Sequence, residues 1–122
     1  MYYSLADSIL NSVWGENQSV TKDEIIEHDN NFKVLIELAG VKKDDIDISF
    51  DKDMLVVTAD KKEPNDKQKV LTSSRLYGKI IKKYKVGSSI DRDGVLAEFV
   101  DGVLSISLKK SESHQPKKIS II

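Results

Sequence analysis

With 122 residues, 39% apolar and 32% charged, the chain can build one folded domain with a modest core and short extensions, and cannot build two. Its 19 basic and 20 acidic side chains nearly cancel and are interspersed along the sequence, so charge nominates neither nucleic acid nor an anionic membrane as partner. There is no cysteine, which excludes disulfides, thiolate catalysis and Cys-ligated metal and suits a reducing compartment.

The first residues lack the basic start and apolar run of a secretory signal. No stretch approaches the roughly 18 apolar residues of a membrane span, so a cytoplasmic location is expected. Residues 2 to 14 place Tyr2, Tyr3, Leu5, Ile9, Leu10, Val13 and Trp14 on one side of a short helix, which Gly15-Glu16-Asn17 would stop. Two readings stand: a helix docked on the domain core, or an apolar arm used for assembly and for contact with other proteins.

From residue 24 the period changes to 2, the mark of half-buried strands. Glu24 to His28 reads as a short strand and Asp29-Asn30-Asn31 as a turn. Phe32 to Leu38 reads as a strand with Phe32, Val34, Ile36 and Leu38 inward, ended by Ala39-Gly40. Asp45 to Phe50 and Met54 to Ala59 form a second hairpin around Asp51-Lys52-Asp53. Residues 60 to 69 are polar and contain Pro64, hence an exposed loop. Val70 to Arg75 reads as a brief edge strand, and Gly78 to Val86 as a longer one with Ile80, Lys82, Tyr84 and Val86 on one side. Gly87 to Gly94 is expected to be a turn-rich link.

Residues 95 to 108 spell a complete hairpin. Asp101-Gly102 is a preferred pair for a two-residue type I′ turn, because both central residues need positive φ. That turn sets Val100 against Val103, Phe99 against Leu104, Ala97 against Ile106 and Val95 against Leu108, which puts apolar side chains on one face. A slip of one residue would turn the whole set to water. The opposite face carries Glu98, Ser105 and Ser107, with Leu96 as the apolar exception. Several short strands separated by turns argue for an antiparallel β-sandwich. The chain divides into an arm at 1–22, a sandwich domain at 23–109 and an extension at 110–122.

The extension is polar and contains Pro116, yet it finishes on Ile119-Ser120-Ile121-Ile122. In an extended segment Ile119 and Ile121 point the same way and can enter one groove. A final strand of the same sandwich is the alternative.

Motifs for chemistry are missing. Neither G-x-x-x-x-G-K-(S/T) nor G-x-G-x-x-G occurs, and two histidines, His28 and His114, cannot supply a zinc set. Asp45, Asp47 and Ser49 resemble the start of a calcium loop, but Phe50 stands where glycine is needed. Lys79, Lys82, Lys83 and Lys85 lack the interleaved aromatics of a nucleic-acid platform and read as solvated strand charge. No catalytic residue, cofactor, metal or small-molecule substrate is expected, and the chain is read as not an enzyme.

Ala97-x-x-x-Asp101-Gly102-Val103-Leu104 resembles the A-x-x-x-(N/D)-G-V-L signature of the α-crystallin domain in small heat shock proteins (the Hsp20 family). Arg75-Leu76-Tyr77-Gly78-Lys79 is similar to the R-x-Y-G-K segment of bacterial, archaeal and plant members, and Ile119-Ser120-Ile121 to the family's C-terminal Ile-x-Ile anchor. Departures are Ala39-Gly40 for Pro-Gly, Val86-Gly87 for Leu-Pro, and Lys82 where many members have arginine, whose bidentate pairing lysine cannot reproduce.

The resemblance spans residues 23 to 121 and implies an all-β, immunoglobulin-like sandwich with a helical arm and an extended tail. It implies a groove for Ile119 and Ile121 formed by Ile46, Ile48, Phe50 and Leu96. It also implies a dimer in which Val70, Leu71, Thr72, Ser73, Ser74 and Arg75 cross to pair with Ile25, Ile26, Glu27 and His28 of a partner. The implied function is an ATP-independent holdase that binds non-native proteins and assembles from dimers into an exchanging homo-oligomer. Tyr2, Tyr3, Leu5, Ile9, Leu10, Val13 and Trp14 are the candidate client contacts. The alternative is a co-chaperone or adaptor sandwich that binds one folded partner.

Overall fold

The computed structural model describes residues 21–64, 68–112 and 119–122. The seven strands are β1 (Asp23–Glu27), β2 (Asn31–Glu37), β3 (Ile46–Asp51), β4 (Met54–Lys61), β5 (Gly78–Lys85), β6 (Ile90–Val100) and β7 (Val103–Lys110), with one 3-10 turn at Lys43–Asp45. They form a four-stranded antiparallel sheet in the order β1-β2-β7-β6 and a three-stranded one in the order β3-β4-β5. The two pack as a β-sandwich, so the expected fold class holds.

Alternation decides which side chains meet. Phe32, Val34 and Ile36 on β2 lie opposite Leu108, Ile106 and Leu104 on β7, and all six are buried. Leu55, Val57 and Ala59 on β4 with Tyr84 on β5 bring the second sheet against them. At roughly 25 cal/mol per Å² of apolar surface removed from water, this layer supplies most of the favourable folding energy.

The 95–108 hairpin has the pairing its turn imposes: Val100 with Val103, Phe99 with Leu104, Ala97 with Ile106 and Val95 with Leu108. Asp101 and Gly102 sit at φ 54° and 77°, as a type I′ turn requires. Gly102 has a second reason to be glycine. A Cβ there would come within 3.1 Å of the Ala39 Cα, while its carbonyl accepts the Leu38 amide at 2.7 Å. Gly102→Ala is therefore expected to cost about 2 kcal/mol, from positive φ plus the clash. Urea denaturation reads that loss, and an unchanged midpoint would show that the turn tolerates a side chain.

Three expectations need correcting. Val70 to Arg75 forms no strand within its own chain, and Val70 and Leu71 are exposed. The turn-rich link expected from Gly87 to Gly94 is shorter: residues 87–89 turn, and β6 already begins at Ile90, with a register shift between Ile90 and Val95. Lys82 is not solvated. It faces the core side of β5 at 8% exposure, and its charge is met by Asp23 at 3.9 Å.

Candidate functional site

Sandwiches have two long edges, and this one treats them differently. Where β1 of the larger sheet lies against β5 of the smaller, Asp23 crosses the gap. The Tyr84 hydroxyl donates to Asp23 Oδ2 at 2.6 Å, and Lys82 Nζ lies on the same oxygen. Burial, reinforced by the Asp23 acceptor, pushes ionisation of that hydroxyl far above the ordinary phenolic range. Lys110, at the end of β7, fastens the other end of β1 by donating to Glu27 Oε2 at 2.9 Å, with its ammonium 4.9 Å from the Phe32 ring centre. The first clasp closes the β1/β5 edge, and the second holds β1 within its own sheet.

Among the described residues, the opposite edge, between β3 and β6, has no such closure along its length. Ile46, Ile48 and Phe50 point inward from β3, yet each is only half-buried, as are Val95 and Phe99 on β6. Ala97, opposite the fully buried Ile106, is exposed although it is on the inner face. One contact crosses this edge at its end. The Arg92 guanidinium lies 4.7 Å from the Phe50 ring centre and donates to the Lys52 carbonyl, near the β3/β4 turn. The result is an apolar slot with Ala97 as its shallow middle.

Leu96 is not part of this slot. Its partner is Ser107, and it stands at 75% exposure on the outer face of the four-stranded sheet. The expected groove position fails on parity, since inner residues of β6 are Val95, Ala97 and Phe99. These three are what the sequence reading missed, and the hairpin register it had already fixed would have given them. Around Leu96 lies an open outer-face depression of about 800 Å³ whose other lining includes His28, Asn31, Lys33, Glu98 and Ser105. Its lining residues are mostly polar in type, but apolar surface makes up at least half of its wall, and it lies open to solvent.

The remaining candidates fall as follows. Ile119 and Ile121 are 87% and 99% exposed and belong to no strand, so they do not complete their own sandwich. Among the described residues Val70 to Arg75 makes no ladder, and β1, with Ile25, Ile26 and Glu27, pairs on one side only, with β2. His28, just beyond it, is exposed. Tyr2, Tyr3, Leu5, Ile9, Leu10, Val13 and Trp14, and also His114, lie outside the described residues. Among the described residues no group of three or more His, Cys, Asp or Glu side chains is placed to hold a metal, and no helix is long and apolar enough to cross a membrane.

Comparisons with known proteins agree with this geometry. The Hsp20/alpha crystallin family model matches residues 24–122. Small heat shock protein C4 of Rickettsia felis is 31% identical over 102 residues, which is 82% of this chain and 63% of that protein. The crystal structure of a small heat-shock protein from Xylella fastidiosa superposes with a TM-score of 0.71 at 29% identity, covering 85% of this chain and 97% of that one. Heat shock protein 16.0 from Schizosaccharomyces pombe gives 0.70 at 26% identity, covering 84% and 96%. The chain thus spans less than two thirds of the Rickettsia relative and nearly all of the two solved chains. By its strand order, its Asp101-Gly102-Val103-Leu104 hairpin and a family match that runs from β1 to the final isoleucine, this chain belongs to the Hsp20/alpha crystallin family of small heat shock proteins.

Proposed function

We propose that this protein is an ATP-independent holdase chaperone of the cytoplasm, with no catalytic step, that binds non-native proteins and assembles through its tail. The observation that carries the reading is a complementarity within one chain. Ala97 is exposed on an inner sheet face between half-buried apolar strands, and Ile119 and Ile121 are exposed on the tail. Lodging both isoleucines in a neighbour's slot removes them from water, worth roughly 3 to 6 kcal/mol before ordering costs. A single tail is then a weak ligand. Several tails joined through a closed assembly hold by avidity while each still releases.

The building block in this reading is a dimer. Val70 to Arg75 of one copy, bearing the exposed Val70 and Leu71, pairs with the free edge of β1 in another, from Ile25 to His28. The arm at 1–22, the sandwich at 23–109 and the extension at 110–122 divide the work into client contact, dimerisation and assembly. A departed tail uncovers apolar surface of the kind that unfolding proteins also expose, and binding such states keeps them from aggregating. Light scattering of a heated, aggregation-prone client tests this directly. Suppression at about one dimer per client, unchanged by ATP, is expected, and no suppression at that ratio would reject the holdase reading.

A further inference from the structure

Although basic and acidic residues are interspersed along the sequence, the strand order sorts them. The strands that border the open slot, β3 and β6, together carry Asp47, Asp51, Asp91, Asp93 and Glu98 against a single cation, Arg92. That guanidinium is already engaged by the Phe50 ring and the Lys52 carbonyl. None of the five carboxylates forms an ion pair with the described residues, and all lie at the surface or half-buried. Strand β5, on the far side of the same sheet, carries Lys79, Lys82, Lys83 and Lys85 and no acid. The slot therefore opens through a negative border, whereas at the opposite edge the lysines of β5 face Asp23, Glu24 and Glu27 of β1.

Resting on the proposed tail docking, we infer that this acidic border selects its occupant: the extension of a second copy, whose Lys117 and Lys118 directly precede the Ile119-Ser120-Ile121 anchor. In an extended tail with Ile119 and Ile121 turned into the slot, Lys118 points outward with Ser120, at the height of the rim. The carboxylates flanking β3 and β6 lie within the reach of an unscreened charge at low salt. The apolar pair supplies the anchoring and the charges supply discrimination, favouring basic-flanked apolar segments over acid-flanked ones. Rim charges of this kind act on encounter and on salt dependence more than on the final packing. Docking thereby becomes sensitive to ionic strength, a property that the apolar contact alone would not give it.

The test uses the full chain and follows subunit exchange between two fluorescently labelled populations, at about 20 mM and about 500 mM sodium chloride. Wild-type exchange is expected to quicken with salt. Lys117→Glu with Lys118→Glu is expected to quicken it about tenfold at low salt and to lose the salt dependence, and adding Asp47→Lys with Glu98→Lys is expected to restore slow exchange. If the glutamate pair exchanges at the wild-type rate while Ile119→Ala with Ile121→Ala falls apart, tail docking stands and the electrostatic selection is overturned. If the reversed rim fails to rescue, the lysines act elsewhere and the assignment is likewise overturned. If the alanine pair itself changes nothing, tail docking fails, and this inference with it.

Discussion

Replacing Ile119 and Ile121 together by alanine is expected to reduce the native mass to dimers or smaller species, with little change in the melting temperature of the sandwich. Both parts follow from exposure. Neither side chain is covered by its own domain, so truncating them removes no packing from the protomer. In the proposed docking, each truncation takes away most of an isoleucine's transfer energy, about 2 kcal/mol apiece, and avidity multiplies the loss over every tail of the proposed assembly. The same result should be reachable from the receptor. Ala97→Trp places a bulky ring on an inner face that is exposed, so it blocks the slot without overpacking the buried layer around Ile106. Size-exclusion chromatography with light scattering reads both variants. A wild-type mass in the alanine pair would remove the tail from the assembly mechanism, and a wild-type mass in Ala97→Trp alone would move its receptor off the β3/β6 edge.

How far the sequence went depends on which interaction positions each residue. Register within a hairpin is local, set by Asp101-Gly102 and by an apolar set that tolerates no slip, and all four pairs read from it are present. The inward set of β2 was equally legible, since Phe32, Val34, Ile36 and Leu38 alternate with polar neighbours. What failed was anything decided between sheets. Lys82 looks like one more strand lysine until β1 lies over β5 and brings Asp23 to it. The two sheets also differ by one strand, which leaves Ala97 exposed on a face that periodicity alone marks as core. Leu96 was misplaced for a related reason. The resemblance implies a groove position that its apolar character on a polar face would explain, whereas strand parity assigns it to the outside. Sorting of charge between the edges was invisible for the same cause, because strand order, not chain order, sets which charges are neighbours.

Asp23→Ala is expected to be the most destabilising single change at the closed edge, by about 2 to 3 kcal/mol, a fall in melting temperature on the order of 10 °C. The carboxylate does two things at once. It accepts the Tyr84 hydroxyl at 2.6 Å and neutralises Lys82, which has 8% of its surface in contact with water. Alanine strands a buried hydroxyl and an almost buried ammonium together, and leaving partners unsatisfied costs more than the pair itself contributes. Asp23→Asn keeps an acceptor for Tyr84 but not the charge, so it should fall between wild type and alanine. Tyr84→Phe should cost about 1 kcal/mol, and its effect should largely vanish in the Asp23→Ala background, because the two groups share one contact. Urea denaturation of wild type, the two single variants and the double variant measures the coupling, and additive losses would mean that Asp23 and Tyr84 do not act as a unit. The expected non-additivity matters for function because β1 contributes only Ile25 to the core and is otherwise held by its ladder and its two terminal acids. A sandwich whose Asp23 clasp keeps one edge shut can leave the other unsealed, and an unsealed edge is what the proposed exchanging tail requires.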